Sequence, residues 1–327
     1  ALAAGADPYD ETSAAFAIRQ LGDASARAGV RLAVRNEWGT AIATGASLAS
    51  LLGCVNHPAV QADWRPLDAL RAGETPDAGL AALMEAAQIA KYASMVDEMG
   101  AKPGDHVLEI GCGWGGFAEY AAKERGLRVT GLTISQEQFN YAKERIEKAG
   151  LSDMVEFKLQ DYRDEEGSYD GIASIEMFEA VGEKYWPVYF EAVRDRLKPG
   201  AQATLQIITV ADRRWQVYKR GVDFIQKYIF PGGMLPSPGA LKEQAHKAGL
   251  DVIKSKEFGE SYSITLRRWF ETFNEKWDRI ADMGFDDRFR RMWNFYLTSC
   301  AATFHSGNCD VTQITIRKTQ VCPQPPA

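Results

Sequence analysis

A chain of 327 residues that is 46% apolar and 25% charged can bury a full core, as one large or two small domains. Its net charge of −6 lacks the basic balance of a general nucleic-acid binder, so nucleic acid is not an expected partner. The five cysteines (Cys54, Cys112, Cys300, Cys309, Cys322) form no CxxC pair and share no metal-ligand spacing with the four histidines, which points to a reduced, cytoplasmic chain without a bound metal.

Residues 1–75 are weakly patterned and read as a small N-terminal region. Their opening, "ALAAGADPYDETSAAFAIRQ", has acids where a signal peptide has a basic stretch, so no targeting segment is expected. No apolar run reaches the about 18 residues of a membrane span. From 78 to 99 the chain is rich in Ala, Leu, Met and Glu and stops at Gly100, which predicts a helix. Strands and helices then alternate. "HVLEIGC", "RVTGLTI", "VEFKLQD", "YDGIASIE" and "AQATLQIITV" predict strands; "FAEYAAKER", "QEQFNYAKERIEKAG" and "YWPVYFEAVRDRLKPG" predict helices. That order predicts a mostly parallel, doubly wound α/β sheet. After Val210 the pattern becomes irregular and aromatic. It turns helical again through "LRRWFETFNEKWDRIADMG" and "DRFRRMWNFYLTSCAATF", and "DVTQITIRKT" alternates as a late strand.

The stretch "VLEIGCGWGG" crowds glycine between a predicted strand and a predicted helix. There, glycine lets the backbone approach a ligand that any side chain would push away. The pattern Glu109-x-Gly111-x-Gly113-x-Gly115 marks a nucleotide-like binding turn. It lacks the Lys-Ser/Thr pair of a phosphate loop and the GxGxxG spacing of a dinucleotide site. No acid closes the second strand either.

Those residues resemble the first motif of S-adenosylmethionine-dependent methyltransferases. Narrower motifs follow in order: "GLTISQEQ" (131–138), "LQDYRD" (159–164), "IEMFEAVG" (175–182), "KYIFPGG" (227–233) and "SYSITLRRWFETF" (261–273). Together they resemble the cyclopropane-fatty-acyl-phospholipid synthases over about residues 80 to 318. The resemblance implies a Rossmann-like methyltransferase domain over 76–327 with a lipid-binding insertion at about 211–300. It also implies S-adenosylmethionine as cofactor, with Gly111, Gly113 and Gly115 at its methionyl end. Thr133, Ser135 and Gln138 would face the ribose and adenosyl region, Gln160 and Asp161 the adenine edge, and Trp114 would pack beside it. As bland alternatives, Trp114 would be core and Asp161 a helix cap.

The activity implied is methyl transfer to the double bond of an unsaturated acyl chain in a membrane phospholipid. This would take place at the inner face of the membrane, through peripheral contact, and a homodimer stays open. Members of the family bind a bicarbonate, held by a Glu, a His, a Tyr and backbone groups near a Cys in a Tyr-Ser-Cys-Ala stretch. Glu179 and Tyr262 match two of those positions, and Gln206 stands where the His is expected. Gln can hydrogen-bond an oxyanion but cannot carry its proton. Loss of a proton from the added methyl gives a cyclopropane, and loss from a neighbouring chain carbon gives a methyl-branched alkene. Gln206 shifts the expectation toward the branched product. No Tyr-Ser-Cys-Ala stretch precedes the helix at 78, where "DALRAGE" runs straight into "TPDAGLAAL". The seam at 72–77 reads as loss of a lid or as a chain closed over a missing segment, and the second is favoured. The patch "DRRWQVYKRG", with Arg213, Arg214, Lys219 and Arg220 around Trp215 and Tyr218, is expected to meet lipid headgroups. Competing readings are a small-metabolite methyltransferase and a catalytically silent S-adenosylmethionine-binding protein.

Overall fold

The computed structural model describes residues 18–19, 32–35, 48, 51, 60–63 and 76–319. The expected N-terminal region and the seam before residue 76 therefore lie largely outside the described residues. The chain divides into two compact units, 1–94 and 95–327. In the first, β1 (Leu32–Arg35) and β2 (Val60–Asp63) pair in parallel with Leu32 opposite Val60. Helix α1 (Pro76–Met99) is the one expected from 78 onward.

The second unit is built on a seven-stranded sheet. Its elements run β3 (His106–Ile110), α2 (Gly116–Arg125), β4 (Arg128–Thr133), α3 (Gln136–Lys148), β5 (Val155–Leu159), β6 (Tyr169–Ile175), α4 (Trp186–Arg196) and β7 (Leu197–Val210). They continue as α5 (Asp212–Tyr218), α6 (Phe224–Tyr228), α7 (Pro238–Lys247), β8 (Leu250–Glu257), α8 (Gly259–Glu275), α9 (Trp277–Asp282), α10 (Asp287–His305) and β9 (Cys309–Lys318). The sheet order is β5-β4-β3-β6-β7-β9-β8. Pairings from β5 to β7 are parallel, and β9 is antiparallel to both β7 and β8.

The central strands β3, β4 and β6 are buried nearly end to end, as strands covered by helices on both faces must be. Their side chains join Phe178, Trp186, Tyr189 and Phe190 in the main core. Strand order reverses between β3 and β6: the chain builds outward to β5, then returns and builds the other way. In such a sheet, ligands bind beyond the carboxyl ends of the strands at that reversal.

The structure adds elements inside the stretch read as irregular: the short helices α5 and α6, then α7 and β8. Between the helical segments α5–α6 and α8–α10 the chain returns to the sheet, packing α7 beneath and adding β8 at the edge. The long helical stretch after Leu266 also breaks, at Lys276, where the backbone leaves helical geometry between α8 and α9.

Candidate active site

Four parallel strands leave the sheet at one edge, and each is followed by a segment carrying residues singled out above. Gly111–Gly115 follows β3, Thr133–Ser135 closes β4, Gln160–Asp161 follows β5, and 176–179 follows β6.

After β3 the backbone turns through the left-handed region, with φ of +82° at Gly111, +50° at Gly113 and +79° at Gly115. A Cβ on Gly111 would lie 2.6 Å from Met177 Cγ, whereas one on Gly113 would meet nothing within 4 Å. The turn is thus packed on the protein at Gly111 and open at Gly113, a cradle a ligand can enter. The amides of Gly111 and Cys112 both donate to Leu132 O, at 3.1 and 2.8 Å, and tie the turn to β4. Glu109 sits inside β3 at 2% exposure, level with Gly131 and Ala173 on its neighbours. Burial first, and then its charge, push the Cys112 thiol well above its ordinary range, so Cys112 is a packed, unreactive residue. Trp114 is 53% exposed and meets Tyr141 edge-on at 5.3 Å, so it is not core.

At the end of β4, Thr133 Oγ1 donates to Gln138 Oε1 at 2.9 Å and accepts from the Ser135 amide at 3.1 Å. Ser135 Oγ accepts from the Gln138 amide and caps α3. The three residues form one preorganised polar rim. Ile134 lies between them at 79% exposure, an apolar surface at the crevice that the sequence reading passed over. After β5, Gln160 donates from its backbone to Thr133 O. Asp161 caps a short 3-10 turn and pairs bidentately with Arg163, at 2.9 and 2.8 Å. Its hydrogen bonds with Arg163 hold its carboxyl below the usual carboxylate range. Asp161 thus makes the contact of a helix cap.

On the far side of the reversal a second polar group assembles from distant segments. Gln206, on β7 opposite Ile175, is fully buried. Its Nε2 donates to Glu176 Oε1 at 2.7 Å and to Tyr262 Oη at 3.0 Å, and its Oε1 accepts from Gln313 Nε2 at 2.9 Å. Tyr262, near the start of α8, also donates to Glu176 Oε1. Burial and the Glu176 charge raise its phenol, so it stays a donor. Glu179 Oε1 accepts from the Ile208 amide at 2.5 Å, while its Oε2 is enclosed with no hydrogen-bond partner. Burial, with the nearby Glu176 charge added, pushes Glu179 up to about 8 against the pull of the Ile208 amide. Sequence reading found Glu179, Gln206 and Tyr262 but missed Glu176 and Gln313. The two acids three apart in "IEMFEAVG" were the available sign of the first.

Helices α8 and α10 pack on each other and on β9, around Leu266, Leu297, Phe304 and Val311. Tyr262, Phe270, Trp293 and Tyr296 lie against that cluster. This aromatic layer borders the Glu176–Gln206–Tyr262 group through Tyr262 itself. One expectation is corrected here. In the basic patch, Trp215 is buried and stacks on Trp186 at 5.7 Å. The Tyr218 hydroxyl accepts from the Leu235 amide. Both aromatics are held by the core, because α5 lies on the sheet with that face inward. Arg213 is engaged by Gly307 O and Asn308 Oδ1. Arg213 is nonetheless exposed, as are Arg214, Val217, Lys219 and Arg220.

A seven-stranded sheet of this order, with a glycine turn at the reversal and a polar rim on the next strand, is the Rossmann-like methyltransferase fold. A solved structure, mycolic acid cyclopropane synthase CmaA1 complexed with SAH and CTAB, superposes with a TM-score of 0.66 at 28% identity, over 72% of this chain and 85% of that one. The family model described as mycolic acid cyclopropane synthetase matches residues 79–314, and the chain belongs to that family. Tuberculostearic acid methyltransferase UfaA1 of Mycobacterium tuberculosis is 42% identical over 234 residues, 71% of this chain and 55% of the relative. The cyclopropane-fatty-acyl-phospholipid synthase of Escherichia coli K12 is 39% identical over 236 residues, 72% of this chain and 59% of that protein. The chain thus spans little more than half the length of these two relatives.

Proposed function

We propose that the protein transfers the methyl group of S-adenosylmethionine to the double bond of an unsaturated phospholipid acyl chain. The observation that carries this is the adjacency of two sites at one sheet edge. A glycine cradle lies on one side of the reversal, and a buried amide, a phenol and two carboxyls lie on the other, under an aromatic helical layer.

The residues present fit the cofactor: the left-handed turn is open at Gly113, and the Thr133–Ser135–Gln138 rim offers hydroxyl and amide groups suited to a ribose. Glu109, Gly111, Gly115, Trp114, Gln160 and Asp161 complete that side. When bound, S-adenosylmethionine supplies an electrophilic methyl group. The chain's own task is then to hold a weakly nucleophilic alkene in a water-poor, aromatic cavity and to receive a proton. A small polar metabolite would not need the α8–α10 layer, and a silent binding protein would not need two carboxyls held by groups from distant segments.

The bicarbonate implied by the family resemblance finds its donors engaged. Gln206 Nε2 and Tyr262 Oη both face Glu176 Oε1. A second anion 4 Å from that carboxylate would be repelled by about 4 kcal/mol at an effective dielectric of about 20. The product we infer is a methyl-branched, still unsaturated chain, with cyclopropane the alternative, because Gln206 cannot hold a proton for an anion.

No helix among the described residues is long and apolar enough to cross a membrane. Contact with lipid is assigned to exposed Val217, Val222 and Phe230 beside Arg214, Lys219 and Arg220, on the inner face of the membrane. The experiment is incubation with methyl-labelled S-adenosylmethionine and vesicles of cis-unsaturated phospholipid. Label in the acyl chain is expected, and label absent from the lipid fraction sinks the proposal.

A further inference from the structure

Glu176 is the one non-glycine among the described residues with a positive φ, +53°. A side chain in that backbone region costs on the order of 1 kcal/mol or more, and here the geometry shows what it gains. The left-handed step directly after β6 places the carboxylate against Gln206 of the neighbouring strand and Tyr262 of α8. Both partners donate to it. The Gln206 amide cannot turn over without losing the bond from Gln313, so its NH2 is committed to the carboxylate. A phenol and an amide NH2 are thus directed at one oxygen, which is held as a hydrogen-bond acceptor. Glu179, three residues on, has the opposite surroundings: no side-chain donor faces it, and one oxygen is enclosed and bare. Two carboxyls whose environments differ in this way divide into a proton holder and a proton acceptor.

We propose that Glu176 itself, and no bound anion, is the proton acceptor of the reaction, with Gln206, Tyr262 and Gln313 as positioning residues. This rests on the function proposed above. A methyl group arriving without its bonding electrons forms a C–C bond with one alkene carbon and leaves a cation at the other. A C–H bond on the chain carbon beside the cation breaks, and its electron pair becomes the π bond of a new C=C in the branched product. The proton moves to Glu176, which becomes a neutral acid and later yields the proton to water. Charge and atoms balance with no further reactant. A proton beside a carbocation is so acidic that the position of the acceptor decides the outcome.

The test uses Glu176→Gly, which the left-handed backbone accepts without strain, and the same-sized Glu176→Gln. In the cofactor-free chain, 13C-bicarbonate is followed by NMR. The unaltered protein should show no binding, and Glu176→Gly, with Gln206 and Tyr262 released, should bind it. In turnover, removing carbon dioxide from the buffer should leave the unaltered protein unchanged. Both variants should fall about 10³-fold, with bicarbonate or formate restoring part of the rate in Glu176→Gly only. Binding of 13C-bicarbonate to the unaltered chain, or retained turnover in Glu176→Gln, overturns the proposal. An unaltered chain that makes no lipid product while binding S-adenosylmethionine would instead sink the proposed function, and the NMR arm would still locate the anion.

Discussion

The turn after β3 and the polar cluster around Gln206 lie at the same edge of one sheet but are built in opposite ways. The turn is local: a few consecutive residues, shaped by backbone angles and tied to β4 by two amides. The cluster is non-local, its hydrogen bonds spanning 30, 56 and 107 residues. A site for a common cofactor can be carried by a transferable loop, whereas a site that must receive a proton at one place needs side chains fixed from several directions. Changes on the turn should therefore act on cofactor binding, and changes on the cluster on turnover.

The largest expected effect is that of Glu176→Gln, a loss of about 10³-fold in turnover with S-adenosylmethionine affinity by calorimetry unchanged. If affinity fell with it, the division between the two sides would fail. Gly111→Ala should do the reverse. Its Cβ would strike Met177 at a φ of +82°, costing about 1–3 kcal/mol, seen as a lower melting temperature and weakened cofactor binding. Gln313→Leu strips the partner from Gln206 Oε1 and should cost about 1–3 kcal/mol of stability. Turnover should fall at unchanged KM for cofactor, because the released amide can turn its oxygen toward Glu176.

A pH effect separates the two carboxyls. Glu179 rises from an ordinary 4.5 to about 8 in the folded chain, so the folded state binds more protons than the unfolded state between those values. Stability of the cofactor-free protein should fall as pH rises through that window and level off above it. Glu179→Gln should flatten the slope, measured as denaturant midpoints at pH 5 and pH 9. The smallest effect is at the surface. Reversing Arg214 and Arg220 to Glu should weaken binding to anionic vesicles by about 1 kcal/mol per charge, with turnover on detergent-dispersed lipid kept.

Sequence alone carried the central sheet, since continuous apolar runs such as "HVLEI" with glycine stops have few other readings. It missed β8, "LDVIKSKE", because an edge strand carries lysines where a central one carries valines. It missed α7 too, although Ser237 and Pro238 form an ordinary cap and first-turn pair; the glycines before them read as loop. At the site, the contiguous motifs were found, though not every residue in them was singled out. Glu176 was passed over because its role depends on one backbone angle, and Gln313 because nothing in an alternating strand tells which polar residue points inward.

The most direct measurement is the structure of the lipid that the purified protein makes from methyl-13C S-adenosylmethionine and cis-unsaturated phospholipid vesicles, read by NMR without added bicarbonate. The account predicts 13C in a methyl-branched, still unsaturated acyl chain. High-field cyclopropane methylene signals would contradict the product, and a lipid fraction free of 13C would contradict the reaction itself.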